Sequence, residues 1–166
     1  MNFASRYIRD IVLGASDGIV TTFAVVSGVI GAALSTDIIL ILGFANLFAD
    51  GISMASGTYL GARSEEDVLE SHHEAHRHIR SSLVSGVAVF FAFIIAGALP
   101  LVPFMFSVPS FKLSIIATGF ALFIAGSLRS VFTERKWFLS GFEMLFVGGI
   151  ASVVAYGTGY FISQLV

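Results

Sequence analysis

Asp17 stands inside residues 11–34, IVLGASDGIVTTFAVVSGVIGAAL, a long, apolar, Gly-rich run. A run of more than ~18 apolar residues reads as a membrane-spanning helix. A carboxylate inside such a helix costs on the order of 2.5 kcal/mol or more, so it is tolerated where it faces a partner, a cavity or an ion. Further along, ILGFANLFADGISMASGTYLGARS carries Asn46, Asp50 and Met54 one turn apart, on one face of a helix. Glu143, followed by Met144, lies in the last apolar run. Carboxylates gathered in one layer would repel each other and hold protons unless a cation is present. Oxygen donors with one thioether suit Fe2+ or Mn2+. Oxygen alone would fit Mg2+ or Ca2+.

Plainer readings exist for most of these residues. Met54 could be packing. Asp50 could cap a local irregularity beside Gly51, and Glu143 could pair with Arg129 or Arg135. Asp17 resists such a reading, because its neighbours are Gly and Ser and its span, as read here, holds no basic residue. A second candidate lies outside the apolar runs. Residues 64–78, SEEDVLESHHEAHRH, hold all four histidines of the chain. Ser64 with Asp67 resembles a capping box, so either a helix starts here or the preceding span continues. On a helix Glu66, Glu70 and either His73 or Glu74 form one stripe, and His72 and His76 are neighbours on another. These side chains can share a metal, with binding that weakens as pH falls. Alternatively they form a solvated, charged helix.

The elements that must position these groups follow from composition. Of 166 residues 56% are hydrophobic and 12% charged, against ~25% charged in a soluble domain, and the mean hydropathy is +0.91. There is no cysteine, so neither disulfides nor thiolate metal sites can form. The chain reads as one all-α, multi-pass membrane domain over 1–166. Five spans are expected at roughly 11–34, 37–62, 82–99, 111–128 and 137–165, with ends uncertain by about 2–4 residues. The polar N-terminus lacks a secretory leader pattern, so Met1 is expected in the mature chain. Residues 35–37 form a very short link, which predicts a tight hairpin of spans one and two. Pro100, Pro103 and Pro109 break the chain between spans three and four.

Arg6, Arg9, Arg63, Arg77, Arg80, Arg129, Arg135 and Lys136 fall on one side of a five-span topology, and Lys112 alone on the other. The positive-inside rule then puts the N-terminus in the cytoplasm and the C-terminus outside. At ~1.5 Å per residue, Asp17 lies ~9 Å, Asp50 ~12 Å, Met54 ~6 Å and Glu143 ~8 Å from the cytoplasmic edge. Candidate ligands on three helices thus fall in one layer. Gly14 with Gly18, and Ser53 with Gly57 and Gly61, are spaced for close helix packing, within one subunit or between two.

The runs RDIVLGASDGIVTTFAVVSGVIGA, NLFADGISMASGTYLGARSEED and WFLSGFEMLFVGGIASVVAYGTGY resemble the vacuolar iron transporter family. The resemblance covers spans one, two and five, and the other two by length and position. It implies a five-span homodimer that moves Fe2+, and Mn2+ as well, out of the cytosol in exchange for protons, with no permanently bound cofactor. It also implies that Asp17 and Met54 line the ion path. Members with a Glu two turns before that Met have Asn46 matched to it here, and Asp50, one turn closer to the Met, would compensate. The long cytoplasmic metal-binding domain of the better-known members is reduced here to residues 63–80, as in the short, nodulin-like members. Glu66 and Glu70 would match the start of that domain.

The residues therefore favour a transporter whose partners are divalent metal, lipid and a second copy of itself, not nucleic acid. The membrane would be a prokaryotic inner membrane or a vacuole-like one. A membrane-bound metal sensor that uses the His/Glu segment is an alternative reading, and a passive metal channel is another. No Ser/His/Asp or phosphate-loop pattern suggests an enzyme.

Overall fold

The computed structural model describes residues 3–71, 82–106, 110–130 and 135–166, with side chains described outside 3–6 and 69–71. Arg77, Arg80, Pro109 and all four histidines lie outside the described residues, as does Glu74.

Among the described residues there are five α-helices: α1 Phe3–Gly31, α2 Thr36–Ser71, α3 Ser82–Gly97, α4 Phe111–Arg129 and α5 Trp137–Ser163. A short 3-10 turn at Val102–Phe104 follows α3. Helices α1, α2, α4 and α5 are long and apolar enough to cross a membrane, and α3 is a shorter apolar helix of 16 residues. Ser and Thr are buried in the bundle, with Thr22, Ser27, Ser85 and Ser114 at 0% exposure, while large apolar side chains such as Phe146 and Val153 are about 70% exposed. Small polar residues at helix contacts with bulky apolar residues outside is the distribution expected where lipid replaces water as the solvent.

Glycines set the register. Gly14 lies against the Val89 backbone and Gly18 against that of Phe93, so α1 and α3 run in the same direction. Gly28 against Ala155 and Gly31 against Tyr156 make α5 parallel to α1 as well. Gly43 meets Leu101, Gly51 meets Ile94 and Gly86 meets Ala55, so α2 runs antiparallel to α3. Gly126 against Ser140 and Gly148 against Leu122 make α4 antiparallel to α5. Hence α1, α3 and α5 point one way and α2 and α4 the other. The start of α1 and the end of α5 lie at opposite ends of the bundle. The Gly14/Gly18 pair is spent on packing inside one chain. Gly57 and Gly61 of the second row face open space.

The α1–α2 link contains one strained position. Ala33 has φ 55°, the left-handed region usually given to Gly. Its N–H reaches the Ile30 carbonyl at 3.0 Å, and the Leu34 N–H reaches that of Val29 at 3.1 Å, the two bonds of a Schellman cap. This cap ends α1 at Gly31, earlier than the hydropathy suggested. Ala33→Gly removes the steric cost and is expected to stabilise the protein by ~0.5–1 kcal/mol, read as a higher unfolding temperature in detergent. An unchanged or lower temperature would contradict the cap.

Three further points concern the first two helices. Helix α1 starts at Phe3, so Arg6 and Arg9 do belong to the helix that carries Asp17. Helix α2 does not restart at Ser64; it continues to Ser71, 36 residues or ~54 Å, well beyond a ~30 Å hydrocarbon core. Its polar end is held by Arg63, which pairs with Glu66 at 4.0 Å and Asp67 at 3.5 Å. The buried cluster that joins α1 to α2 lies near their turn. There Ile39 is buried with Val26 and Val29 of α1 and with Leu101 and Phe104. Further from the turn α3 takes over as the main neighbour of both helices.

Candidate functional site

Helix α1 is the axis of the bundle, packed by α3, α5, α2 and α4. Helices α2 and α5 flank it without extensive contact with each other. Between them α1 shows an open face, on which Leu13 and Asp17 are exposed while their neighbours Gly14, Ser16 and Gly18 are buried. The α2 wall of this opening is graded. Ile39 and Gly43 are buried near the turn, Asn46, Asp50 and Met54 are half-buried, and Gly57 and Gly61 are exposed. On this side α2 is thus covered near the turn and progressively bare towards the start of α1, and this open side of the α1–α2 pair is the cleft.

The glycine register gives the levels. Gly18 is level with Phe93, and Gly51 lies between Phe90 and Ile94, so Asp17 and Asp50 stand within about one residue of the same height. The Asp50 carboxylate is within electrostatic reach of Asp17. Met54 is one turn, ~5.4 Å, further towards the bare end. Asn46 is one turn towards the covered end, and its Nδ2 donates to Asp50 Oδ2 at 2.9 Å. On the other flank Val20 approaches Gly148, which puts Glu143 about two residues, ~3 Å, below Asp17.

The shared layer exists in height but not as one cluster. Glu143 is 45% exposed and pairs with Arg135 at 3.4 Å, the plainer of the two readings the sequence allowed. Among the described residues no three of His, Asp and Glu come close enough together to hold a metal ion. The single chain therefore does not assemble Asp17, Asp50 and Glu143 into a three-carboxylate site. The Arg135–Glu143 pair is exposed, so Glu143→Gln is expected to change unfolding stability by less than ~1 kcal/mol. A loss of several kcal/mol in a detergent melt would show a structural role the geometry does not suggest.

The acidic end of α2 carries Glu66 and Glu70. Glu66 is nearly covered, 13% exposed; one oxygen faces Arg63, and Oε1 has no hydrogen-bond partner among the described residues. The backbone of Glu70 is helical but its side chain lies outside the described residues, as do His72, His73, Glu74 and His76 entirely. Two partnerships escaped the sequence reading. The Arg63 pairs were signalled by their three- and four-residue spacing. The Asn46–Asp50 bond is signalled by the same spacing.

A bundle with an apolar outer surface and an acidic cleft between two of its helices is a multi-pass helical membrane protein of the kind that handles cations. The sequence profile of the VIT family matches residues 8–82 and 70–160, and the chain belongs to that family. It is similar to Vacuolar iron transporter 1 of Arabidopsis thaliana, 29% identical over 92% of this chain and 85% of that protein. It is equally similar to Vacuolar iron transporter 1 of Eucalyptus grandis, 29% identical over 93% and 86% of the two chains. The Vacuolar iron transporter of Toxoplasma gondii is 47% identical over a shorter stretch, 42% of this chain and 23% of that protein. The Arabidopsis alignment runs over 212 positions, more than this chain's 166 residues, so that relative carries residues with no counterpart here. The two profile matches overlap at residues 70–82, from the end of α2 to the first residue of α3.

Proposed function

We propose that this VIT-family chain transports a divalent transition metal, Fe2+ and Mn2+ as well, out of the cytosol in exchange for protons, as a homodimer in a vacuole-like membrane. The observation that carries the reading is Asp17: a carboxylate exposed on the open face of a membrane-spanning helix, level with Asp50. Left against lipid it would cost several kcal/mol, so the open face needs a covering that welcomes charge. A second copy supplies it, and brings a second Asp17 and Asp50 to the same seam. The exposed small residues Ser53, Gly57 and Gly61 on α2 allow close approach of that copy. The names of the relatives support iron as cargo.

The chemistry follows from the donor set. Asp17 and Asp50 offer hard oxygen and Met54 a soft sulfur one turn away, a combination that suits Fe2+ and Mn2+ better than Mg2+ or Ca2+. Carboxylates that hold either a metal ion or protons exchange one for the other, which is what antiport needs. The bare end of the cleft, beside the acidic end of α2, is the cytosolic entry. Glu143 joins only if Arg135 releases it.

Two experiments test this. A single cysteine placed at Gly57 is unique in this cysteine-free chain, and oxidation is expected to cross-link two copies in membranes; a persistent monomer would contradict the shared seam. Inside-out vesicles bearing the chain are expected to accumulate Fe2+, and deletion of residues 66–78 to leave residual flux. Complete loss on deletion would favour the sensor reading instead.

A further inference from the structure

Asn46 stands one turn before Asp50 on α2, an amide beside a carboxylate. A carboxylate accepts hydrogen bonds only, so the amide must present its NH2 group to Asp50, and it does so at 2.9 Å on Oδ2. Both residues are half-buried in the cleft wall, one turn apart on the same rigid helix. The bond restrains the carboxylate's rotation and takes one lone pair of Oδ2, which weakens that oxygen as a metal ligand. The other oxygen, Oδ1, takes no part in this bond, and Asp50 stands level with Asp17.

We propose that Asn46 is a specificity-determining positioning residue that keeps Asp50 a one-oxygen ligand and thereby disfavours Ca2+. The inference rests on the reading that Asp50 meets the ion. Ca2+ takes six to eight oxygens at about 2.3–2.6 Å and commonly uses both oxygens of a carboxylate. Fe2+ and Mn2+ need fewer donors and accept one oxygen from each carboxylate plus a thioether. Mg2+ is bound through single oxygens and keeps its waters, so freeing the second oxygen of Asp50 gives it no advantage. Asn46 thus discriminates by denticity, and its effect is confined to large hard cations. A carboxylate at this position would add charge and oxygens and lower that discrimination.

The test is Mn2+ uptake by the full chain in proteoliposomes, with Ca2+ or Mg2+ added as competitor. In Asn46→Ala the concentration of Ca2+ needed for half-inhibition is expected to fall about tenfold, the equivalent of ~1.4 kcal/mol, while inhibition by Mg2+ is unchanged. Asn46→Gln, which keeps a donor able to reach four residues along the helix, should behave like the wild type. Unchanged Ca2+ inhibition in a transporting Asn46→Ala would overturn the proposal. So would an equal shift for Mg2+, or failure of Asn46→Ala to elute as folded protein on size exclusion, since a positioning role predicts an intact fold. Asp50→Asn separates this from the underlying reading. If that variant transports Mn2+ normally, Asp50 does not meet the ion and the reading beneath the proposal fails. If it is impaired while Asn46→Ala leaves Ca2+ inhibition unmoved, only the role of Asn46 fails.

Discussion

Asp17→Asn is expected to lower Fe2+ uptake by about 100-fold or more while leaving a folded protein. The substitution keeps the size of the side chain and removes its charge. Two unit charges 4 Å apart attract by ~4 kcal/mol at an effective dielectric of 20, and the ion carries two. A loss of even ~3 kcal/mol at one site exceeds 100-fold in affinity. The fold has no use for the charge: Asp17 is exposed, whereas Gly14, Ser16 and Gly18 beside it do the packing. Removing a carboxylate from a membrane-spanning segment also removes a cost rather than a support. Size exclusion and a thermal melt in detergent should therefore match the wild type. Normal uptake by this variant would remove Asp17 from the path.

Gly18→Val, one residue away, is expected to do the reverse and destroy the fold. A Cβ at Gly18 would stand 2.5 Å from the Phe93 carbonyl oxygen and 3.1 Å from its Cα, and both belong to the α3 backbone. Backbone cannot swing aside as a side chain can, so α3 would have to move off α1. Phe93 is 1% exposed, Gly97 packs on the Gly18 carbonyl, and Leu47 of α2 packs on Gly97, so the displacement spreads through three helices. Overpacking typically costs 1–3 kcal/mol and more when backbone must shift, out of a total stability of ~5–15 kcal/mol. Little folded protein should survive extraction. Gly57→Val is the control: nothing lies within 4 Å of a Cβ there. It should yield a folded chain and affect only association of copies. Equal tolerance at both positions would contradict the α1–α3 crossing.

The two glycine rows show what a sequence can and cannot convey. Both have the spacing of close helix packing, and spacing alone left open whether they pack within a chain or between chains. The answer depends on where α3 lies, a question of tertiary structure: α3 covers Gly14 and Gly18 and leaves Gly57 and Gly61 bare. The spans themselves were legible because a ~30 Å hydrocarbon layer imposes their length and apolarity. The ends were less so. Hydropathy carried span one to Leu34, but a left-handed Ala33 stops the helix at Gly31. The common height of Asp17, Asp50, Met54 and Glu143 followed from counting residues along helices of fixed rise. Their lateral separation did not, because α5 takes the far side of α1 and Arg135 claims Glu143. The cleft was likewise invisible. A three-residue link suggests two helices packed alike throughout, yet the buried cluster that joins them, Ile39 with Val26 and Val29, lies near the turn.

The most direct measurement is Fe2+ uptake into proteoliposomes of the purified full chain, with the lumen acidic relative to the bath and with no gradient. Proton-coupled export from the cytosolic face predicts uptake that rises with the acidic lumen and collapses when a protonophore dissipates the gradient. Uptake indifferent to the gradient would contradict antiport and leave a passive pathway. No uptake of Fe2+ or Mn2+ under either condition would contradict transport itself.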